Sequence, residues 1–232
     1  MKKIVISLII FCSILSFTTA QQTITTASSF FQSVSERYAG IKDYEASVKI
    51  EAPGAKKEDK NRMEGKVSFK RPNLLRIDFD IPEKQVIVYN GEQLTIYLPG
   101  SDAVLVQSVG SEGGSAGGAS LATPQGLYLM SRYYYVAYES GQEPVPLTND
   151  SDEMVIKLIL TRKNASEGFR TIKLAVSPET KLIRQVEALS NSNETFSFSF
   201  TDYNLNSNIP DVRFIYDAPS SANNYNNFLF TE

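Results

Sequence analysis

The charged residues whose side chains could best take part in catalysis or binding lie close together, between positions 70 and 80. Asp78 and Asp80 provide two carboxylates, a pairing that can perform acid–base chemistry. Both follow Arg76 and alternate with apolar residues, so they fall on the polar face of a predicted strand, where solvated charges are the ordinary expectation. We therefore predict no catalytic site at this pair.

A basic turn, Lys70-Arg71-Pro72, connects that strand to the one before it. Arg71 could be a solvated turn residue, part of a site for an acidic ligand, or a component of a moving device. Residue type and position alone leave these three roles open.

The remaining residues exclude most enzyme chemistry. The chain has no histidine, and its single cysteine is Cys12. These absences argue against Ser-His-Asp triads, cysteine nucleophiles and nearly all zinc or copper sites. The Gly110–Gly118 tract also lacks the Lys-Ser/Thr that follows a phosphate-binding loop. We expect no enzyme, no cofactor and no metal. The formal net charge is −3, and it becomes −5 without Lys2 and Lys3 at the N-terminus, which disfavours nucleic acid and broad anionic membrane surfaces as partners.

The N-terminus has the pattern of a secretory signal, with a basic start, an apolar segment over residues 4–17 and small residues ending at Ala20. We expect cleavage after Ala20 and one domain over residues 21–232, exported to a bacterial periplasm. A lipoprotein signal would have a small residue before the cysteine, whereas Phe11 precedes Cys12 and the apolar segment continues beyond it. This argues against lipidation of Cys12, although the sequence alone does not decide it.

Apolar residues recur with a period of two from Tyr44 onward, which indicates strands with one buried and one solvated face. About eleven such strands follow one another through short turns such as Asn90-Gly91, and the last is Val212–Tyr216. This predicts a mainly β protein with one large antiparallel sheet or barrel. Around the basic turn, the residues predicted to face inward are Val67, Phe69, Leu75, Ile77 and Phe79.

Two helices are predicted outside the strands. The first covers Thr25–Tyr38, and the second covers Leu127–Tyr138 after the cap Thr123-Pro124. The second helix is inserted midway among the strands, behind a glycine tract that we expect to be flexible. Its predicted apolar stripe consists of Leu127, Met130 and Tyr134.

Two short helices are little cover for so large a sheet. Either the sheet closes on itself around a solid core, or the sheet and the helices enclose an apolar cavity. The periodicity does not decide between these arrangements.

The segment Gly65–Pro82, with its Lys-Arg-Pro-Asn turn, resembles the signature of the periplasmic outer-membrane lipoprotein carriers, the LolA family. Val86–Tyr97 resembles the next hairpin of the family, and Thr123-Pro124 resembles the start of its lid region. Phe196–Phe200 and Val212–Pro219 resemble its closing strands. The chain departs from the family pattern in having no tryptophan and an expanded glycine tract.

This resemblance implies an unclosed antiparallel β-barrel of eleven strands, with an N-terminal helix and an inserted lid helix over an apolar cavity. It implies a chaperone-like carrier that moves the acyl chains of lipoproteins from the inner to the outer membrane. The implied partners are acylated lipoproteins or lipids, an inner-membrane ATP-driven release complex and an outer-membrane acceptor. Arg71 would be a latch that bonds the lid backbone in the empty protein, and the five inward residues would line the cavity. We expect a monomer.

Two other functions stay open at this level. The same fold can act as a sensor that binds an acyl-bearing ligand and regulates a membrane partner. It can also be a surface-interaction protein with a solid core, and the size of the internal cavity would discriminate between these readings.

Overall fold

The computed structural model describes residues 25–52, 62–108 and 123–226. The predicted signal over residues 1–20, with Cys12, and the Gly110–Gly118 tract lie outside the described residues. The single-domain boundary at residue 21 stays a prediction.

One large sheet accounts for most of the described chain. In chain order its strands are β1 (Asp43–Glu51), β2 (Arg62–Lys70), β3 (Leu74–Ile81), β4 (Val86–Tyr89), β5 (Gln93–Leu98), β6 (Ala103–Ser108), β7 (Tyr134–Tyr138), β8 (Val145–Pro146), β9 (Met154–Arg162), β10 (Phe169–Val176), β11 (Ile183–Ser190), β12 (Thr195–Leu205) and β13 (Asn223–Asn226). The other described elements are the helices α1 (Ala27–Gly40) and α2 (Pro124–Tyr133) and the 3₁₀ segments Pro99–Ser101 and Asp211–Phe214.

The strands run side by side in the order β13-β6-β5-β4-β3-β2-β1-β12-β11-β10-β9-β7, and β8 pairs with β9. Neighbouring strands are antiparallel except β13, which is parallel to β6. Because β13 and β7 stand at opposite ends of this order, the sheet is unclosed. The predicted fold class, mainly β with an unclosed sheet and two helices, is confirmed.

The described sheet has thirteen strands where the sequence predicted about eleven, and the difference lies in short strands. Sequence periodicity missed β7, β8 and β13, which have between two and five residues. Conversely, the strand predicted at Val212–Tyr216 is wrong, because Asp211–Phe214 forms a 3₁₀ turn. Arg76 Nη1 donates to the carbonyl oxygens of Arg213 (3.1 Å) and Ile215 (3.4 Å), so a side chain rather than a strand partner satisfies this backbone.

The helix predicted over Leu127–Tyr138 is correct only as far as Tyr133. Tyr134 adopts extended backbone angles, φ −125° and ψ 147°, and begins β7. Aromatic residues and valine favour strands, and β9 presents a free edge to which the Tyr-rich segment pairs, with Tyr134 opposite Arg162. Tyr134 therefore does not belong to the inserted helix.

A cluster of three tyrosines fastens α1 to the sheet; Tyr38 and Tyr44 are buried and Tyr203 is partly buried. The Tyr38 hydroxyl accepts a hydrogen bond from the Ile183 amide at 3.1 Å and lies 3.2 Å from the Tyr203 hydroxyl. Tyr203 Oη in turn donates to the Ile183 carbonyl at 2.9 Å. The Tyr44 ring packs beside them, with its centroid 5.3 Å from that of Phe69 and 5.5 Å from that of Tyr203. These contacts join α1 to β1, β2, β11 and β12.

Burial raises the pKa of Tyr38 to about 12, since the phenolate would lose its hydration. The same desolvation raises the pKa values of Tyr44 and Tyr203 well above the ordinary value of 10.0. These three hydroxyls therefore stay protonated in the folded protein at pH values where an unfolded chain ionises them.

Folding should become less favourable above pH 10, because the unfolded state then releases protons that the folded state retains. The contribution of Tyr38 is complete below pH 10 and is lost as the pH rises toward 12. For Tyr38→Phe we expect the loss of unfolding free energy between pH 8 and 11 to shrink by roughly 1 kcal/mol relative to wild type. Urea denaturation at both pH values measures this, with exposed Tyr135→Phe as the control. An unchanged pH dependence in Tyr38→Phe would contradict it.

Gly65 allows β2 to approach β3 closely just before the basic turn. A Cβ at this position would lie 2.0 Å from the Asp78 carbonyl oxygen, which belongs to the backbone and cannot swing away. We expect Gly65→Ala to lower the free energy of unfolding by about 3 kcal/mol, the upper range for overpacked sites. Gly168→Ala is the control, since nothing lies within 4 Å of its Cβ. Equal denaturation midpoints for the two variants would refute the close approach.

Candidate functional site

The candidate site is the inner face of the sheet, the side that carries Val67, Phe69, Leu75, Ile77 and Phe79. Phe69 lies opposite Leu75 and Val67 lies opposite Ile77, so the two strands present one continuous apolar surface. All five side chains are at most 4% exposed and share one buried cluster with residues of α1 and α2. The structure brings the five predicted residues together, while their contact with acyl chains stays a prediction.

The helix α2 begins where the sequence predicted. The Thr123 hydroxyl accepts a hydrogen bond from the Gly126 amide at 3.1 Å, and Pro124 occupies the first turn. Leu127 and Met130 are 0% and 2% exposed and belong to the cluster against the inner face. These two predicted lid residues therefore do point inward from a helix.

Tyr134, the third predicted lid residue, reaches the same cluster from β7. Its ring is 7% exposed, and its hydroxyl donates to the Phe169 carbonyl at 3.2 Å. The contact ties the strand that follows α2 to the start of β10. Tyr134 is therefore buried as predicted, but it belongs to a strand and not to the inserted helix.

Arg71 contacts α1, whereas the sequence reading assigned its latch to the inserted helix. Its Nη1 donates to the Ala39 carbonyl at 2.7 Å, and its backbone amide donates to the Lys42 carbonyl at 2.9 Å. Ala39 lies in the last turn of α1, where carbonyl groups lack helical partners. The cause is topological: α1 leads directly into β1, and Asp43 at the start of β1 pairs with Lys70 at the end of β2. The turn after β2 must therefore lie beside the end of α1.

The N-terminal end of α1 is held by residues beyond α2. Tyr138 at the end of β7 donates through its hydroxyl to the Thr25 carbonyl at 2.8 Å. The Thr25 amide donates to Gln142 Oε1 at 3.2 Å. A small number of side-chain hydrogen bonds thus fixes both ends of α1. The sequence pattern had not indicated the bonds of Tyr138 and Gln142 to Thr25.

The outer face of β2 and β3 is covered by the segment that follows β12. Asp78 accepts from Arg76 Nη2 at 2.7 Å and from Arg213 Nη2 at 2.5 Å. Lys70 Nζ donates to the Ile209 carbonyl at 2.7 Å and to Asp211 Oδ1 at 2.5 Å. The expectation of a solvated carboxylate is therefore wrong for Asp78, whereas Asp80 is exposed as expected. The cluster fastens the C-terminal segment to the strands that carry the basic turn.

A separate cavity of about 460 Å³ lies between α1 and the α2–β7 junction. None of the five inner-face residues lines it. Its walls mix polar and apolar side chains, including Gln32, Ser131, Tyr135 and Lys163.

Within residues 25–52, 62–108 and 123–226, no group of three or more His, Cys, Asp or Glu side chains is arranged to hold a metal ion. Neither α1 nor α2, the α-helices of that same part of the chain, combines the length and apolar character needed to span a bilayer.

Comparison with known proteins agrees with the family resemblance seen in the sequence. The family model described as "Outer membrane lipoprotein carrier protein LolA" matches residues 40–127, which include the basic turn. An outer-membrane lipoprotein carrier protein of Haemophilus ducreyi is 27% identical over 184 residues, 72% of this chain and 81% of that protein. A protein of the same name from Pseudomonas paraeruginosa is 21% identical over 155 residues, 67% of each.

Among solved structures, an uncharacterised conserved protein of Thermus thermophilus superposes with a TM-score of 0.53 at 14% identity, covering 84% of this chain and 98% of that one. That likeness concerns the fold alone. These matches confirm the resemblance first inferred from the Lys-Arg-Pro-Asn turn: the chain is similar to the outer membrane lipoprotein carriers of the LolA family.

Proposed function

We propose that this protein is a periplasmic carrier that holds the acyl chains of lipoproteins against its inner face and moves them from the inner to the outer membrane. The observation that supports this most is the continuous apolar inner face of an unclosed sheet, covered by two helices. A binding role without catalysis suits a chain that has no histidine. An inner-membrane ATP-driven release complex and an outer-membrane acceptor would be its partners.

The physics of the cargo requires such a surface. Each buried CH₂ group is worth roughly 0.8 kcal/mol, so one long acyl chain left in water costs on the order of 10 kcal/mol. A lipoprotein therefore does not cross an aqueous compartment without cover for its chains. To receive them, the protein must exchange the contacts that α1 and α2 make with the inner face for contacts with the acyl chains.

The hydrogen bonds at the ends of α1 make this exchange adjustable. Arg71 Nη1 to the Ala39 carbonyl is an exposed, charge-assisted bond, and such bonds contribute roughly 1.5–3 kcal/mol, less when solvent screens them. A contribution of about 1.4 kcal/mol changes an equilibrium constant tenfold. We propose that Arg71 biases the empty protein toward the closed arrangement by about this amount. Because α1 packs against α2, a bond to α1 alone also affects the inserted helix.

Cargo binding is tested directly with a synthetic triacylated cysteine peptide. Native mass spectrometry should show a one-to-one complex, because the inner face is a single continuous surface. The same peptide without acyl chains should not bind. A protein that binds both peptides equally, or neither one at any accessible concentration, contradicts the carrier function.

The latch is tested by Arg71→Leu. Without the bond to Ala39 the closed state loses stability, so the lipopeptide should bind up to about tenfold more tightly. Its transfer from the protein to acceptor vesicles should slow correspondingly. Lys66→Leu, which removes an exposed cation from β2, the strand before Arg71, is the matched control, and Arg71→Lys keeps the charge with fewer donors.

Thermal denaturation of these variants separates a latch from a purely structural contact. A loss of stability in Arg71→Leu with unchanged lipopeptide affinity and transfer rate would show that Arg71 only supports the fold.

A further inference from the structure

An exposed group of aromatic, aliphatic and basic side chains lies on α2 and the adjoining strands, outside the inner face. We call this group the lid patch, and its members are Tyr128, Leu129, Arg132, Tyr135 and Lys163. Its three apolar members are 56%, 39% and 66% exposed, in that order for Tyr128, Leu129 and Tyr135. Nothing in the carrier account uses these side chains, so their exposure needs an explanation.

The members of the lid patch are neighbours in space. Tyr128, Leu129 and Arg132 are spaced to share the outward side of α2, since residues three and four apart on a helix adjoin. Lys163 Nζ donates to the Arg132 carbonyl at 2.9 Å and lies 5.4 Å from the centre of the Tyr135 ring. Lys163, the residue after β9, therefore joins the end of α2 to Tyr135 of β7 within the patch.

The charge of the lid patch is opposite to that of the whole chain. The chain carries a formal net charge of −3, whereas both charged members of the patch are basic. Across the three described ranges, neither Arg132 nor Lys163 forms a salt bridge. The guanidinium of Arg132 lies over the Tyr133 ring at 5.3 Å, and the contacts of Lys163 are a carbonyl and an aromatic ring. Among the described residues, both positive charges thus lack a carboxylate partner.

We propose that the lid patch docks the protein onto the surface of an anionic lipid bilayer. Tyrosine has an apolar ring and a polar hydroxyl, which suits the headgroup region of a membrane, and leucine adds apolar contact below it. Arg132 and Lys163 pair with lipid phosphates in this arrangement. A basic residue near an anionic surface strengthens binding by about fivefold, so two of them give weak and reversible attachment.

A bilayer fits this patch better than a protein partner. The patch has five members, whereas a standard protein interface uses about 20–30 residues from each partner. Weak attachment also suits a protein that must leave one membrane for another.

Docking has a consequence for the closed arrangement, and this step rests on the proposed carrier function. Lys163 Nζ supports the end of α2 through the Arg132 carbonyl, and Lys163 N donates to the Tyr133 carbonyl at 2.9 Å. A lipid phosphate competes for the same ammonium group. Contact with the bilayer therefore weakens one support of the helix that covers the inner face.

The absence of tryptophan from the chain allows a clean reporter. Tyr128→Trp introduces one indole into the lid patch, and Tyr225→Trp, at the exposed strand β13, is the matched control. With vesicles of phosphatidylethanolamine and phosphatidylglycerol, the emission of Tyr128→Trp should shift to shorter wavelength, and that of Tyr225→Trp should not. Phosphatidylcholine vesicles or high salt should abolish most of the shift, because screening removes the charge attraction.

Vesicle flotation of the otherwise unaltered protein tests the charges. Replacing Arg132 and Lys163 by Glu should reduce binding to the anionic vesicles by more than tenfold. Replacing the exposed Lys66 and Lys84 by Glu changes the net charge equally and should have little effect. Replacing Tyr128 and Leu129 by Ser should also weaken binding, which provides a second test that leaves both cations in place.

Lipopeptide binding distinguishes the two proposals, because the variant with Tyr128 and Leu129 replaced by Ser, which keeps Lys163 and the buried side of α2, should still form the one-to-one complex. Absence of vesicle binding by the unaltered protein overturns the docking proposal. Equal binding to neutral vesicles, or equal losses in both charge-reversed variants, overturns it as well. If vesicles are not bound but the lid-patch variants fail to exchange cargo with a membrane protein, the patch is a protein-docking surface instead.

Discussion

The fold depends on keeping one apolar face of the sheet away from water, although few residues outside the sheet are available to cover it. The inner face extends over most strands of an unclosed sheet, and only two helices of 14 and 10 residues cover it in the described chain. A sheet that closed on itself would bury this face permanently. An unclosed sheet leaves the cover as separate elements, so the same apolar surface that stabilises the fold is also available for exchange with a ligand.

The way in which the cover is attached follows from that constraint. Buried side chains such as Phe31 and Leu127 provide most of the adhesion, while few hydrogen bonds at the helix ends fix its position. Bonds of this kind each contribute modestly, so they can adjust the balance between covered and uncovered states without deciding whether the protein folds. On the opposite face, the Arg76–Asp78–Arg213 cluster holds the C-terminal segment against β3, one of the two strands joined by the basic turn.

The sequence pattern predicted those features of the fold that depend on residues close together in the chain. The alternation through Val67 and Phe79 identified the inner face, and Thr123 identified the start of α2, because these signals depend on neighbouring residues only. Tyr134 was misassigned because its helical spacing competed with pairing to β9, a partner that is distant in sequence. The bonds of Tyr38 and Tyr138, and the contact of Arg71 with α1, depend on which strands become neighbours. The family resemblance suggested a role for Arg71, but the order of the sheet determined its partner.

The central claim is that α1 moves away from the sheet when acyl chains occupy the inner face. No cysteine occurs after Cys12, so a protein produced from residue 21 onward can carry spin labels at Glu36→Cys on α1 and Lys66→Cys on β2 alone. Pulsed electron resonance then measures the distance between them with and without the triacylated lipopeptide. The account predicts a longer or broader distance distribution when the lipopeptide is bound. An unchanged distribution in a verified one-to-one complex would contradict it.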